Sequence, residues 1–171
     1  MKKYLLLAAV ALIALAACGG KKKTAEQAVV VGTKAGEMFT DFEIAQPDGS
    51  VAKLSDYVGK GKYVLVDFWA SWCGPCKREI PNIKAAYEKY AGEKFDVLSV
   101  AVWDKPEDTA VAAAEHGVTW NQIVNAQQVP TDIYGIQGIP HLILFGPDGI
   151  IITRGDDLRG PGLEATLSKL L

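Results

Sequence analysis

Apolar residues in this chain fall into short, nearly continuous runs separated by glycine, proline and charged breaks. Tyr63 to Phe68 and Phe95 to Trp103 read as buried strands, and Ile139 to Phe145 as a third apolar strand. Between the first two, the period changes from two to nearly four. Ile80, Ile83, Tyr87 and Tyr90 recur at spacings of three and four and predict one buried stripe on a helix from about Pro75 to Tyr90. Pro81 lies inside that helix and is expected to kink it, because its ring removes one helical hydrogen bond. Asp104 followed by Lys105-Pro106-Glu107 reads as a helix cap, and the alanine-rich run behind it stops at His116-Gly117. Gln122 to Val124 is a short strand candidate and Val129 to Tyr134 a short helix. Gly146 to Gly149 is a turn, Ile150 to Thr153 the strand after it, and a last helix from about Gly162 buries Leu163, Leu167 and Leu170.

Upstream, Phe39 to Leu54 has the pattern of a hairpin. Phe42 and Ile44 alternate with polar neighbours, Pro47-Asp48-Gly49 supplies the turn, and Val51 resumes the apolar character. Ser55 is then placed to cap a short turn through Tyr57. Alternating β and α elements ending in a hairpin predict an α/β fold, a mixed sheet flanked by helices on both faces with an added N-terminal β-hairpin.

The first residues follow different rules. Lys2 and Lys3 precede an apolar run, Tyr4 to Ala17, that is short for a membrane span. It ends in Leu15-Ala16-Ala17-Cys18, which resembles a bacterial lipobox. The resemblance implies cleavage before Cys18 and lipidation of its thiol, hence a membrane anchor; the alternative is an ordinary secretion signal beside a stray cysteine. The expected organisation is a signal peptide over 1–17, a lipidated N-terminus and flexible tether over 18–36, and a folded domain over 37–171. Gly-Gly, three lysines and small polar residues favour a solvated spacer in the tether. The full chain of 171 residues carries a formal charge of −2, and losing the leader's two lysines takes it to −4. Neither value points to a nucleic-acid partner.

Chemistry concentrates at Trp72-Cys73-Gly74-Pro75-Cys76-Lys77, where the first strand turns into the first helix. A helix start presents unpaired N–H groups and a positive dipole end, which favour a thiolate over a thiol. Two cysteines separated by two residues can join in a disulfide and reopen when another thiol attacks. Cys73, expected nearest solvent, is the attacking candidate and Cys76 the resolving one. Asp67 sits at the end of a buried strand, where desolvation raises a carboxyl's proton affinity toward the range useful for serving Cys76. A strand-end aspartate facing solvent is the plainer alternative. A metal site is disfavoured: tetrahedral zinc needs four ligands, the third cysteine is Cys18, and His116 and His141 lack ligand spacing.

Asp67 to Lys77 resembles the active-site segment of thioredoxin, and Gly138-Ile139-Pro140 resembles that family's loop with a cis proline. The span from about Gly36 to Leu171 resembles the TlpA/ResA type of membrane-anchored thiol–disulfide oxidoreductases. The resemblance implies a thioredoxin-like fold and a redox-active Cys73–Cys76 disulfide, with no other cofactor. It assigns Asp67 a proton-relay role and Glu79, three residues after Cys76, a role in tuning the cysteines; a solvated helix residue is the alternative for Glu79. Trp72, Gly74, Pro75, Ile139 and Pro140 then border a substrate groove, with Trp69 in the core or the groove wall. His141 stands where thioredoxins commonly have threonine, and reads better as a packed strand residue than as a tuner of the site. The implied activity is reduction of protein disulfides, cytochrome c apoproteins among the candidates, by a monomer anchored in the bacterial cell envelope and facing the periplasm or exterior. A membrane thiol electron donor would recharge it. A redox-silent binding lipoprotein and a disulfide oxidant or isomerase are the other readings. A peroxidase would want a single threonine-associated cysteine, which is missing from this pattern.

Overall fold

The computed structural model describes residues 29–171, so the expected leader, Cys18 and most of the expected tether lie outside the described residues. β1 (Val31–Gly32) pairs in parallel with β2 (Met38–Phe39). β3 (Glu43–Ala45) and β4 (Val51–Lys53) form the antiparallel hairpin expected there. Next come β5 (Tyr63–Trp69), α1 (Gly74–Tyr90), β6 (Phe95–Ala101), α2 (Pro106–His116) and β7 (Asn121–Ile123). α3 (Val129–Tyr134), β8 (His141–Phe145), β9 (Ile151–Arg154) and α4 (Pro161–Leu170) complete the chain.

Five strands make one mixed sheet in the order β7-β6-β5-β8-β9. β5, β6 and β7 run parallel, and β8 and β9 run antiparallel to their neighbours. Alternation along the strands divides the interior in two. Leu65, Trp69, Val97, Leu142 and Leu144 pack with Ile80 and Ile83 of α1, Ala112 and Ala113 of α2, and Leu163 and Leu167 of α4. Val64, Val66, Phe68, Leu98, Val100, Ile143 and Phe145 pack with Phe42 and Ile44 of the hairpin, Leu54, and Tyr134 of α3. Burial of each large apolar side chain contributes about 1.5–3 kcal/mol, so β5, buried on both faces, anchors the molecule. Asp67 belongs by alternation to the face covered by α1.

The added hairpin also covers a sheet edge. The Gln46 side chain bonds both backbone groups of Val124, donating from Nε2 (3.1 Å) and accepting at Oε1 (3.1 Å). This satisfies donors and acceptors that an edge would otherwise expose. At the opposite edge, Gly36 N donates to Ile151 O and Ile151 N to Glu37 O. The turn before β9 requires glycine at position 149, where φ is +88° and a Cβ would lie 2.8 Å from the Phe39 ring.

Several local expectations change in the folded chain. Residues 31–36, read as the end of the tether, carry the β1–β2 pairing and the contact with Ile151, because the β9 edge offers them backbone partners. Phe39 lies in β2 rather than in the hairpin. Ser55 does not cap the turn at 54–56; it lies inside it, and its N–H donates to Asp41 Oδ1. The second buried strand stops at Ala101, two residues early, because Trp103 adopts a left-handed conformation (φ 54°) that ends extended pairing.

Candidate active site

β5 ends at Trp69 in the middle of the sheet, and the chain turns over Ala70–Cys73, with Cys73 N donating to Ala70 O at 3.0 Å. Cys73 is the extended N-cap of α1 (φ −80°, ψ 101°), and its Sγ accepts the Cys76 N–H at 3.1 Å. Gly74 and Pro75 fill the first helical positions; proline is suited there because its missing N–H is not needed in the first turn. No acidic residue occupies that turn, so the positive end of the helix acts on the sulfur unopposed. The two cysteines are joined in a disulfide.

Both sulfurs are covered. Cys73 and Cys76 are each buried, which corrects the expectation that Cys73 stands nearer solvent. Exposure does not distinguish them; position does. Cys73 Sγ lies 3.7 Å from the carbonyl oxygen of Ile139, and the Ile139–Pro140 peptide is cis. The loop before β8 therefore meets the disulfide at Cys73, while Cys76 lies within the first helical turn. Trp72 is 59% exposed beside the pair, its Nε1 donating to Trp103 O at 2.9 Å. Trp69 belongs to the core, among the residues around α1.

Asp67 is 2% exposed, so the solvent-facing alternative fails. Its Oδ2 is 3.4 Å from Ser99 Oγ, which in turn accepts Trp120 Nε1 at 2.8 Å; Oδ1 has no partner among the described residues. Burial pushes its proton affinity up to a pKa of about 7; the Ser99 hydrogen bond opposes this, and the charge of Glu79 adds to it. A carboxyl poised near neutrality can accept or return a proton under working conditions.

Glu79 is buried as well, against the alternative of a solvated helix residue. Its Oε1 accepts Gly160 N at 2.7 Å and Asn82 Nδ2 at 3.2 Å, joining α1 to the start of α4. Glu79 follows Cys76 by one helical turn, and its charge adds to the rise in Asp67's proton affinity. His141 is half-buried and packed, with Nε2 facing Arg154 Nε at 3.2 Å and Nη2 at 3.0 Å. Burial first, then the Arg154 charge, push its pKa down to about 4, so the imidazole is neutral near pH 7.

Ser99, Trp120, Arg154 and Asp104 were not singled out as functional from the sequence. Ser99 and Trp120 carry no local signal, since their relation to Asp67 exists only through strand register, Asp67 lying opposite Ser99. Asp104 did carry one: it follows the carboxyl end of the parallel strand next to the cysteine-bearing strand, where open α/β sheets place their sites.

Residues 35–154 match the AhpC/TSA family. A thiol–disulfide oxidoreductase ResA of Geobacillus thermodenitrificans is 31% identical over 126 residues, covering 74% of this chain and 69% of that protein. The ResA of Bacillus subtilis is 26% identical over 112 residues, 66% of this chain and 62% of its own length. Among solved structures, the thioredoxin domain of a thiol–disulfide oxidoreductase from Bacteroides vulgatus superposes with a TM-score of 0.70 at 32% identity, covering 80% of this chain and 96% of that one.

Proposed function

Because the chain belongs to the AhpC/TSA family and is a thiol–disulfide oxidoreductase of the ResA type acting on protein thiols, we propose that it is a lipid-anchored reductant of protein disulfides outside the cytoplasm. The observation that carries the exchange chemistry is the placement of Cys73 Sγ, which accepts the Cys76 N–H and lies 3.7 Å from the Ile139 carbonyl oxygen. In the reduced enzyme the Cys73 thiolate attacks one sulfur of a substrate disulfide. That S–S bond breaks, one substrate thiolate leaves, and a mixed disulfide forms. Cys76 then loses its proton to Asp67, directly or through water, and attacks Cys73 Sγ. The second substrate thiolate departs, and two electrons have passed to the substrate.

The remaining residues orient this exchange. Trp72, Gly74, Pro75 and the Ile139-Pro140 loop border the approach to Cys73, and the Ile139 backbone pairs with an extended substrate strand, as in β-augmentation. Glu79 holds its charge next to Asp67 and so tunes how readily that carboxyl takes the proton. The chemistry runs on the cysteine pair, and a membrane thiol donor returns the electrons. Disulfides of cytochrome c apoproteins or secreted enzymes are the proposed substrates.

Two measurements test this reading. The Gly74-Pro75 dipeptide is that of thioredoxin, a reductant at about −270 mV, against about −120 mV for the oxidant DsbA. Redox titration of the full chain is expected to give a potential near the former; a value near −120 mV turns the assignment to an oxidant. For the anchor, mass spectrometry of the mature protein is expected to find an acylated Cys18 at the N-terminus. Cys18→Ser is expected to release the protein from the membrane fraction or to block its processing. An unmodified Cys18 in mature protein ends the lipoprotein assignment.

A further inference from the structure

Asp104, read from the sequence as a helix cap, does something else in the fold. It is 6% exposed, and both carboxylate oxygens are filled by donors. Oδ2 accepts Ser71 N (2.6 Å) and Thr109 Oγ1 (2.9 Å); Oδ1 accepts Ser71 Oγ (2.9 Å) and Lys105 N (2.9 Å). Lys105 precedes α2, so none of these bonds caps the N–H groups of the first helical turn. Two of the four come from Ser71, in the middle of the Ala70–Cys73 turn and two residues before the attacking cysteine. The neighbouring Trp103 carbonyl takes the Trp72 indole N–H. Consecutive residues 103 and 104 thus hold consecutive residues 71 and 72.

The backbone around this grip is strained. Trp103 (φ 54°), Asn125 (φ 62°) and Gln127 (φ 48°) are the non-glycine residues with left-handed φ among the described residues. All three are bonded together: Trp103 N donates to Gln127 O at 3.3 Å, and Gln127 Nε2 donates to Asp104 O (2.7 Å) and Asn125 Oδ1 (3.3 Å). Conformations of this kind persist only where the surroundings enforce them, and they collect at functional sites.

We propose that Asp104 is a positioning residue for dithiol–disulfide exchange: by gripping Ser71 it holds the Ala70–Cys73 turn, and with it Cys73 Sγ against the Cys76 N–H, in the dithiol as well as in the disulfide. In the disulfide a covalent bond keeps the two sulfurs together. In the dithiol the turn alone does so, and their proximity sets how strongly ring closure is favoured. Loosening the turn gives freedom to the dithiol and little to the disulfide, so the equilibrium moves toward the dithiol. The role depends on the redox pair alone and is the same whichever way electrons flow in the cell.

The test equilibrates the full chain with glutathione. Cys73 and Cys76 give up two protons and two electrons to form their disulfide, and one glutathione disulfide becomes two glutathione thiols. Asp104→Asn, which turns its NH2 against a backbone N–H whichever way the amide is set (Ser71 N at one oxygen, Lys105 N at the other), is expected to lower the equilibrium constant for disulfide formation about tenfold, or about 30 mV. Ser71→Ala is expected to lower it by a smaller factor, and to add nothing in the Asp104→Asn background, because both act through one contact. Thr109→Val removes a bond to the same carboxylate from the α2 side, and is expected to lower the urea midpoint while leaving the equilibrium within twofold of wild type. An equilibrium unmoved by Ser71→Ala, or moved equally by Thr109→Val, overturns the proposal in favour of general stabilisation. Those two variants decide the matter if Asp104→Asn does not fold. Wild type that fails to exchange with glutathione would overturn the proposal together with the redox assignment of the pair.

Discussion

Replacing Cys76 with serine is expected to yield an enzyme that attacks substrate disulfides and stays bound to them. Cys73 keeps its place at the N-cap, and the backbone N–H of residue 76 still points at its sulfur. The thiolate is therefore still favoured, and the first exchange proceeds. The intramolecular attack is lost. Well-oriented groups within one molecule react as though present at about 10⁵ M or more, a level that millimolar external thiol cannot approach. Turnover in an insulin-reduction assay should fall on the order of a thousandfold or further, with mixed disulfides visible on non-reducing gels and lost on adding reductant. Cys73→Ser should abolish turnover equally and trap nothing. Equal trapping by the two variants would show that the roles of nucleophile and resolving thiol are wrongly assigned, since burial alone does not separate these two residues.

Asp67→Asn is expected to separate catalysis from stability by moving them in opposite directions. The carboxyl is buried on the α1 face with one oxygen unpartnered among the described residues, and burial raises its pKa to about 7. If it takes the Cys76 proton, the resolving step in the variant should be slower by about a hundredfold at pH 7, the scale of general base catalysis. The gap should narrow as pH rises, because less of the step then depends on a base supplied by the protein. Stopped-flow tryptophan fluorescence reads this step.

Stability follows from the sign of the same shift. In the unfolded chain an aspartate titrates near 4, so between pH 4 and 7 the folded chain binds more protons than the unfolded one. Stability from this group is therefore fully present below pH 4 and lost as pH rises through 7. Each tenfold in proton affinity is worth about 1.4 kcal/mol, which makes the loss on the order of 4 kcal/mol at pH 8. Asparagine does not titrate, so the variant should equal wild type near pH 4 in urea melts and exceed it at pH 8. A variant resolving at the wild-type rate at every pH would end the relay role.

Much of the site was legible because its signals are local. The Cys-Gly-Pro-Cys spacing at a strand-to-helix change marked the N-cap sulfur, and the Ile139-Pro140 loop was expected beside it and lies 3.7 Å away. Asp67 could be read as buried because β5 is apolar on both sides of it. Glu79 could not, since its helix position fits a solvated face equally well, and the Gly160 N–H that makes it a buried acceptor comes from 81 residues away. Asp104 shows the same limit more sharply. An aspartate before Lys-Pro-Glu has the local form of a cap, and only the approach of β5 to β6 brings Ser71 to it.

Hydrophobic period and turn chemistry, which reach a few residues along the chain, determined the hairpin, the strand and helix order from β3 to α4, and the redox pair, but not the β1–β2 pairing. Tertiary structure alone decided the partners of the buried polar groups: Ser99 and Trp120 for Asp67, Arg154 for His141, the β9 edge for residues 36–37, and Ser71 for Asp104. Apolar burial is non-directional and depends on a residue's type, so a pattern of types records it. A buried hydrogen bond depends on which atom the completed fold brings within about 3 Å, and residue type at one position does not specify its partner.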